Sequence, residues 1–169
     1  HGLRTFGTSP RDNPGRLNVY RLGDVTIVVD FAHNPHGMDA LVAMANQRPA
    51  ARRLVILGQA GDRDDLALRQ LAASAVAFRP DRVILKEMDK YLRERPPGQV
   101  CDVMEAEFLR LGTPRERISR APSEFAAVRA ALAWAQPGDL LLLPTHAERG
   151  RVLGLLDELE RCSWRPGDA

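Results

Sequence analysis

Lysine is almost missing from this chain: of 24 lysine and arginine residues only Lys86 and Lys90 are lysines. Neither follows a glycine-rich turn, so the phosphate loop G-x-x-x-x-G-K-[ST] is absent, and the dinucleotide fingerprint G-x-G-x-x-G is absent with it. The chain is therefore not a self-sufficient phosphate-loop enzyme or dinucleotide binder. The arginine bias itself reads as genomic base composition. Cysteine is scarce as well. Cys101 and Cys162 form no C-x-x-C and no metal-ligand spacing, which suits a reducing, cytoplasmic setting. No serine sits in a G-x-S-x-G elbow, and Cys101 falls within a predicted helix, so a nucleophilic triad is not expected. No apolar run approaches the roughly 20 residues of a membrane span, and no signal peptide is visible. A net charge of +2 gives no ground for a nucleic-acid or membrane partner.

What remains is an ordinary globular profile, 44% hydrophobic and 27% charged with 5% aromatics. At 169 residues it suits one domain with a real core. The sequence starts at His1 without a methionine and reads as an excised piece. Residues 1–15, rich in Gly and Pro, read as an interdomain linker, residues 16–162 as the domain, and 163–169 as a frayed tail.

Hydrophobic patterning sets the fold class. Leu17, Val19 and Tyr20 suggest a strand, and the Gly23-Asp24 turn pairs 17–22 with 25–31 as an antiparallel hairpin. Short apolar runs then alternate with helical spacings: Leu54–Leu57, Val83–Leu85, a shorter segment at 117–120, and Leu140–Leu143. The helical stripes are Met38/Leu41/Val42/Ala45, Leu68/Leu71/Ala72/Ala75, Val100/Val103/Phe108/Leu111, Phe125/Val128/Leu132 and Val152/Leu155/Leu156/Leu159. The expected fold is α/β and Rossmann-like. It is a mostly parallel sheet with an antiparallel N-terminal hairpin edge and helices on both faces.

The polar residues cluster where these strands end. One run ends in Asp30, His33 and Asn34, followed by Pro35 and Gly37. Others end in Gly58-Gln-Ala-Gly-Asp-Arg-Asp64, in Lys86-Glu87 with Asp89, and in Pro144-Thr-His-Ala-Glu148. In a parallel sheet these tips share one edge, where ligands bind. Each admits a plainer reading: Asn34 and Asp64 as helix N-caps, Pro35 as a first helical residue, the rest as solvated turns. Arg63 has the planar fork that suits phosphate or carboxylate. His33 and His146 lack a third ligand at a recognisable spacing, so zinc is not expected.

Several motifs in order carry a family resemblance: Asn13-Pro-Gly-Arg16-Leu-Asn18, Asp30-Phe-Ala-His-Asn-Pro35, Gly61-Asp-Arg-Asp64, and Lys86-Glu87 with Leu92-Arg-Glu-Arg95. Together they resemble the C-terminal domain of the Mur ligase superfamily, which includes peptidoglycan-building amide ligases, folylpolyglutamate synthetase and cyanophycin synthetase. The resemblance runs from about Leu3 to Glu160 and is nearest to the last domain of cyanophycin synthetases. It implies a lid closing on a central ATPase domain of the same polypeptide. The reaction implied is ATP- and magnesium-dependent amide formation through an acyl phosphate, with the isolated lid inactive and magnesium held mainly by the central domain. It places Arg16, Asp30, His33, Asn34 and Arg63 toward the nucleotide. It places Lys86, Glu87, Arg93 and Arg95 toward the incoming amino acid, with a small molecule or peptide as acceptor. Phe31 stands where relatives have tyrosine, Glu94 where they have glycine, and a D-N-P-R motif is missing. A rival expectation is a non-catalytic α/β module that binds a nucleotide or partner at the same edge.

Overall fold

A computed structural model describes residues 16–168. The expected linker, residues 1–15, lies outside the described residues. The strands are β1 (Asn18–Leu22), β2 (Val25–Asp30), β3 (Arg53–Leu57), β4 (Arg82–Lys86), β5 (Ile118–Ala121) and β6 (Leu140–Pro144). The helices are α1 (Pro35–Asn46), α2 (Asp65–Val76), α3 (Gln99–Arg110), α4 (Glu124–Trp134) and α5 (Arg149–Arg161).

The hairpin forms because Gly23 and Asp24 both take positive φ, +50° and +64°, whose twist matches the paired strands. β1 pairs antiparallel with β2, Leu22 opposite Val25, and every other pairing in the sheet is parallel. The order is β1-β2-β6-β3-β4-β5.

Alternation within each strand builds two cores. Val28, Val55, Leu57, Val83, Leu85 and Leu142 pack under α1, α2 and α3, meeting Met38, Leu41, Leu68, Leu71, Met104 and Phe108. Ile27, Val29, Leu54, Ile56, Ile84, Leu141 and Leu143 face the other way, onto Val128 and Leu132 of α4 and Val152 and Leu156 of α5. Burial on both faces is why these strands read as continuous apolar runs. β6 lies between β2 and β3, yet its helix α5 covers the face opposite α1 and α2. The connections diverge there, which opens a crevice at the carboxyl ends of the strands.

Helix starts follow the sequence closely. Asn34 accepts from Gly37 N at 2.8 Å with Pro35 at the first helical position, and Asp64 accepts from Ala67 N at 2.7 Å. Ser123 caps α4 through Ala126 N at 3.1 Å. Three expectations shift. β5 starts at Ile118 after a 3-10 turn over Arg115–Arg117. Leu111 lies past the end of α3 and is exposed, and Cys101 and Met104 fill the stripe instead. The stretch after α5 is not a frayed tail: Trp164 is buried against the α4–α5 core, its N–H bonded back to Leu159 O at 3.0 Å. Gly23 fits only because it has no Cβ, which would stand 2.7 Å from Arg165 Cα.

Candidate functional site

The ends of β2, β6, β3 and β4 lie side by side, so the four polar tips do share one edge of the sheet. They are tied together from below by a charge network centred on Lys86. This lysine is 1% exposed. Its ammonium donates to Glu124 Oε2 at 2.5 Å, to Pro144 O at 2.5 Å, and faces His146 Nδ1 at 3.4 Å. Its three protons thus have three acceptors. Glu124, from the first turn of α4, accepts in turn from the backbone N–H groups of His146 (2.7 Å), Ala147 (3.3 Å) and Glu148 (2.7 Å). One carboxylate therefore shapes the whole β6–α5 loop.

The network fixes the state of His146. Its Nδ1 faces an ammonium and must accept, so Nε2 carries the hydrogen and donates to Ala32 O at 2.9 Å. Burial, then the Lys86 charge, push the imidazole down to about 4, so the ring is neutral near neutral pH. Burial also lowers the Lys86 ammonium, against the pull of Glu124. Burial alone would raise Glu124; the charge and hydrogen bond of Lys86 outweigh it, and backbone donors help hold the carboxylate below its ordinary range.

The turn after β3 is shaped by close approach of the chain to itself. A Cβ on Gly58 would stand within 2.5 Å of Lys86 Cγ, and one on Gly61 within 2.8 Å of the Leu92 carbonyl carbon. Arg95 clamps this turn, donating to Gly61 O at 3.0 Å, Arg63 O at 2.7 Å and Asp65 at 2.8 Å. Gln59, which the motifs did not single out, bridges to the first tip through His33 O at 2.7 Å.

The sequence-predicted residues therefore separate by task. His33, Asn34 and Arg63 line one shallow cavity of about 150 Å³ with Pro35, Gln59 and Ala67. Arg63 is half exposed, with only Asp62 at 4.0 Å beside it. Asp30 commits one oxygen to Leu17 N at 2.8 Å, stabilising a leucine held at φ +51°. Arg16 is exposed, its guanidinium 5.6 Å from the centroid of Phe31. On the amino-acid side, Lys86 is buried and its ammonium is held by Glu124 and Pro144 O. Arg95 is a clamp, and Arg93, at φ +58°, lies over Tyr91 at 5.9 Å. Glu87 lines a second cavity of about 160 Å³ with Tyr91, Ser123, Glu124 and Glu148. Burial and the neighbouring Glu87 raise the Cys101 thiol, so it is no nucleophile.

Phe31 gathers a cluster that the motifs only partly mark. His33 lies 5.3 Å and His146 5.2 Å from its ring, and Arg16 and Arg149 each place a guanidinium 5.6 Å from its centroid. Glu124, Gln59 and Arg149 escape sequence reading because their partners are remote in the chain. Among the described residues no group of three His, Cys, Asp or Glu side chains could hold a metal ion. No helix there is long and apolar enough to cross a membrane.

Both cavities fall below the roughly 300–1,000 Å³ of an enclosing ligand pocket. The chain belongs to the Mur ligase family, glutamate ligase domain, whose pattern matches residues 15–144. It is 32% identical over 165 residues to cyanophycin synthetase from Nostoc sp. strain PCC 7120, covering 93% of this chain and 18% of that protein. It is 29% identical over 142 residues to the UDP-N-acetylmuramyl-tripeptide synthetase of Roseiflexus, covering 82% of this chain and 27% of that protein. The chain thus spans about a fifth to a quarter of these relatives. Among solved structures, a UDP-N-acetylmuramoyl-L-alanyl-D-glutamate–2,6-diaminopimelate ligase superposes with TM-score 0.69 at 20% identity, over 87% of this chain and 32% of that one. E. coli FolC in complex with ADP gives 0.63 at 20% identity, over 88% and 32%. These likenesses establish the same fold.

Proposed function

We propose that this domain is the lid of an ATP-dependent amide ligase. In that reaction a substrate carboxylate becomes an acyl phosphate at the expense of ATP, and an amino-acid amine displaces the phosphate. The observation that carries the reading is the pair of half-pockets on one open sheet edge, in a chain whose relatives are ligases about three to five times its length. The phosphate loop that this chain lacks would stand on a central domain of the same polypeptide.

The chain's own residues suit such a lid. Arg16 and Arg63 are exposed guanidiniums free to meet phosphoryl charge. His33 stands between the ring of Phe31 and the first cavity, placed to stack or donate. Asp30 and Asn34 hold backbone, so their contribution is to position Arg16 and His33. The second cavity, with Glu87 and Glu148, faces the incoming amine, and Arg95 holds the turn that separates the two pockets. Catalysis here is positioning and electrostatics completed by closure, with no general base in this domain. With no metal cluster among the described residues, magnesium would enter on the nucleotide and the central domain. Such a reaction belongs in the cytoplasm, where ATP is.

Replacing Arg63 with Ala in the full ligase polypeptide tests this. ADP release coupled to amide formation should fall by about a hundredfold, the loss of one preorganised cation at developing charge. Circular dichroism and melting should stay unchanged, since the Arg63 guanidinium has only Asp62 of its own turn beside it and the bond from Arg95 is to the Arg63 backbone carbonyl, which alanine keeps. Unaltered turnover would favour a non-catalytic binding module.

A further inference from the structure

We infer that Arg149, the first residue of α5, is a second phosphate-binding guanidinium of this edge, working across Phe31 from Arg16. The inference rests on the nucleotide reading above and extends it to a helix that none of the sequence motifs reached.

Two guanidiniums at 5.6 Å from one ring converge on a single small region. The Phe31 ring offsets part of this like charge, and among the described residues no carboxylate within ion-pair distance offsets the rest. Three other arginines of this region are engaged, whereas Arg63 stands half exposed beside Asp62 at 4.0 Å. Arg151 pairs with Glu148 Oε1 at 3.2 Å and covers Phe125 at 3.7 Å, and Arg95 and Arg120 each bind carboxylates. Among the described residues no carboxylate lies within ion-pair distance of Arg149. Glu148, its neighbour in sequence, is committed to Phe125 N and Arg151.

Its place in the helix is also unfavourable by itself. The first turn of α5 has no acidic residue, so the Arg149 charge sits at the positive end of the helix dipole. The side chain is nevertheless drawn in against Phe31 and partly buried. His146, on the same ring, is held neutral by Lys86 and adds no charge. The arrangement leaves two forks aimed around an aromatic face beside His33. A phosphate chain with more than one charged centre, as in a nucleoside diphosphate or triphosphate, satisfies both forks.

Nitrogen-15 correlation spectra of the 169-residue chain, titrated with ADP, pyrophosphate and adenosine, test this. Arg149→Gln should weaken ADP and pyrophosphate about tenfold, as loss of a charge-assisted bond predicts, and leave adenosine unchanged. Arg149→Lys should recover part of the loss, and Arg151→Gln should bind all three as the parent does. Melting curves check that each variant is folded. Parent-like pyrophosphate affinity in Arg149→Gln, with loss in Arg16→Gln, would overturn the inference and leave the nucleotide reading standing. Equal weakening of adenosine would also overturn it, since Arg149 would then only shape the edge. No shift at this edge with ADP on the parent chain would remove the nucleotide reading and the inference together.

Discussion

Lys86 carries a charge into a place with no water to solvate it, and only the geometry around it makes that tolerable. An ammonium with three acceptors and a carboxylate with three backbone donors satisfy one another almost completely. The balance fails if one partner goes. Lys86→Met should cost about 3–5 kcal/mol in urea unfolding, because Glu124 would be left buried and unpaired; a loss under about 1 kcal/mol would mean that water reaches the carboxylate. The same network sets a pH dependence. His146 is depressed to about 4 in the folded chain against 6.5 for the free group. Below about pH 6.5 the unfolded chain takes up a proton that the folded chain refuses until about pH 4. Stability should therefore fall as pH drops through that window, by up to about 3 kcal/mol, with protonation of Glu124 adding to the loss at lower pH. His146→Phe should flatten the slope between pH 6.5 and 4; an unchanged slope would assign it elsewhere. At this scale the sequence is half legible. Asn34 and Asp64 announce themselves as caps because a cap is local. Glu124, Gln59 and Arg149 do not, because each works on residues 20 or more positions away. Lys86 looks like a binding residue in sequence because its position at a strand tip is visible and its inward direction is not.

At the scale of elements, the glycine turn after β3 is a packing device before it is a ligand device. Gly61 accommodates the backbone of Leu92, and its N–H binds Tyr91 O at 2.8 Å. Gly61→Ala should push the 87–95 loop away from the sheet, destabilising the chain by about 1–3 kcal/mol and shifting amide resonances of that loop; an unperturbed loop would contradict the close approach. The strands and helices are readable from spacing because β2, β3, β4 and β6 are largely buried on both sides and each helix on one, so residue type follows geometry. The boundaries that moved did so for tertiary reasons. Trp164 lies in a polar stretch, and only the packed groove beneath it, beside the Gly23 turn, turns that stretch into structure.

At the scale of the molecule, a doubly covered sheet gives a rigid floor, and the order β2-β6-β3-β4 brings four polar tips onto one edge. Arg16 and Arg63 are exposed there, and neither cavity reaches the volume of an enclosing ligand pocket. On the proposed reading the edge is one wall of a site whose other wall would be a separate domain. Calorimetric titration of magnesium-ATP into this chain alone, and into the chain joined to a phosphate-loop domain of its own polypeptide, measures it directly. The account predicts a dissociation constant no tighter than about 0.1 mM for the chain alone, tightening strongly when the second wall is present. Sub-micromolar affinity, or amide ligation, by the chain alone would contradict it.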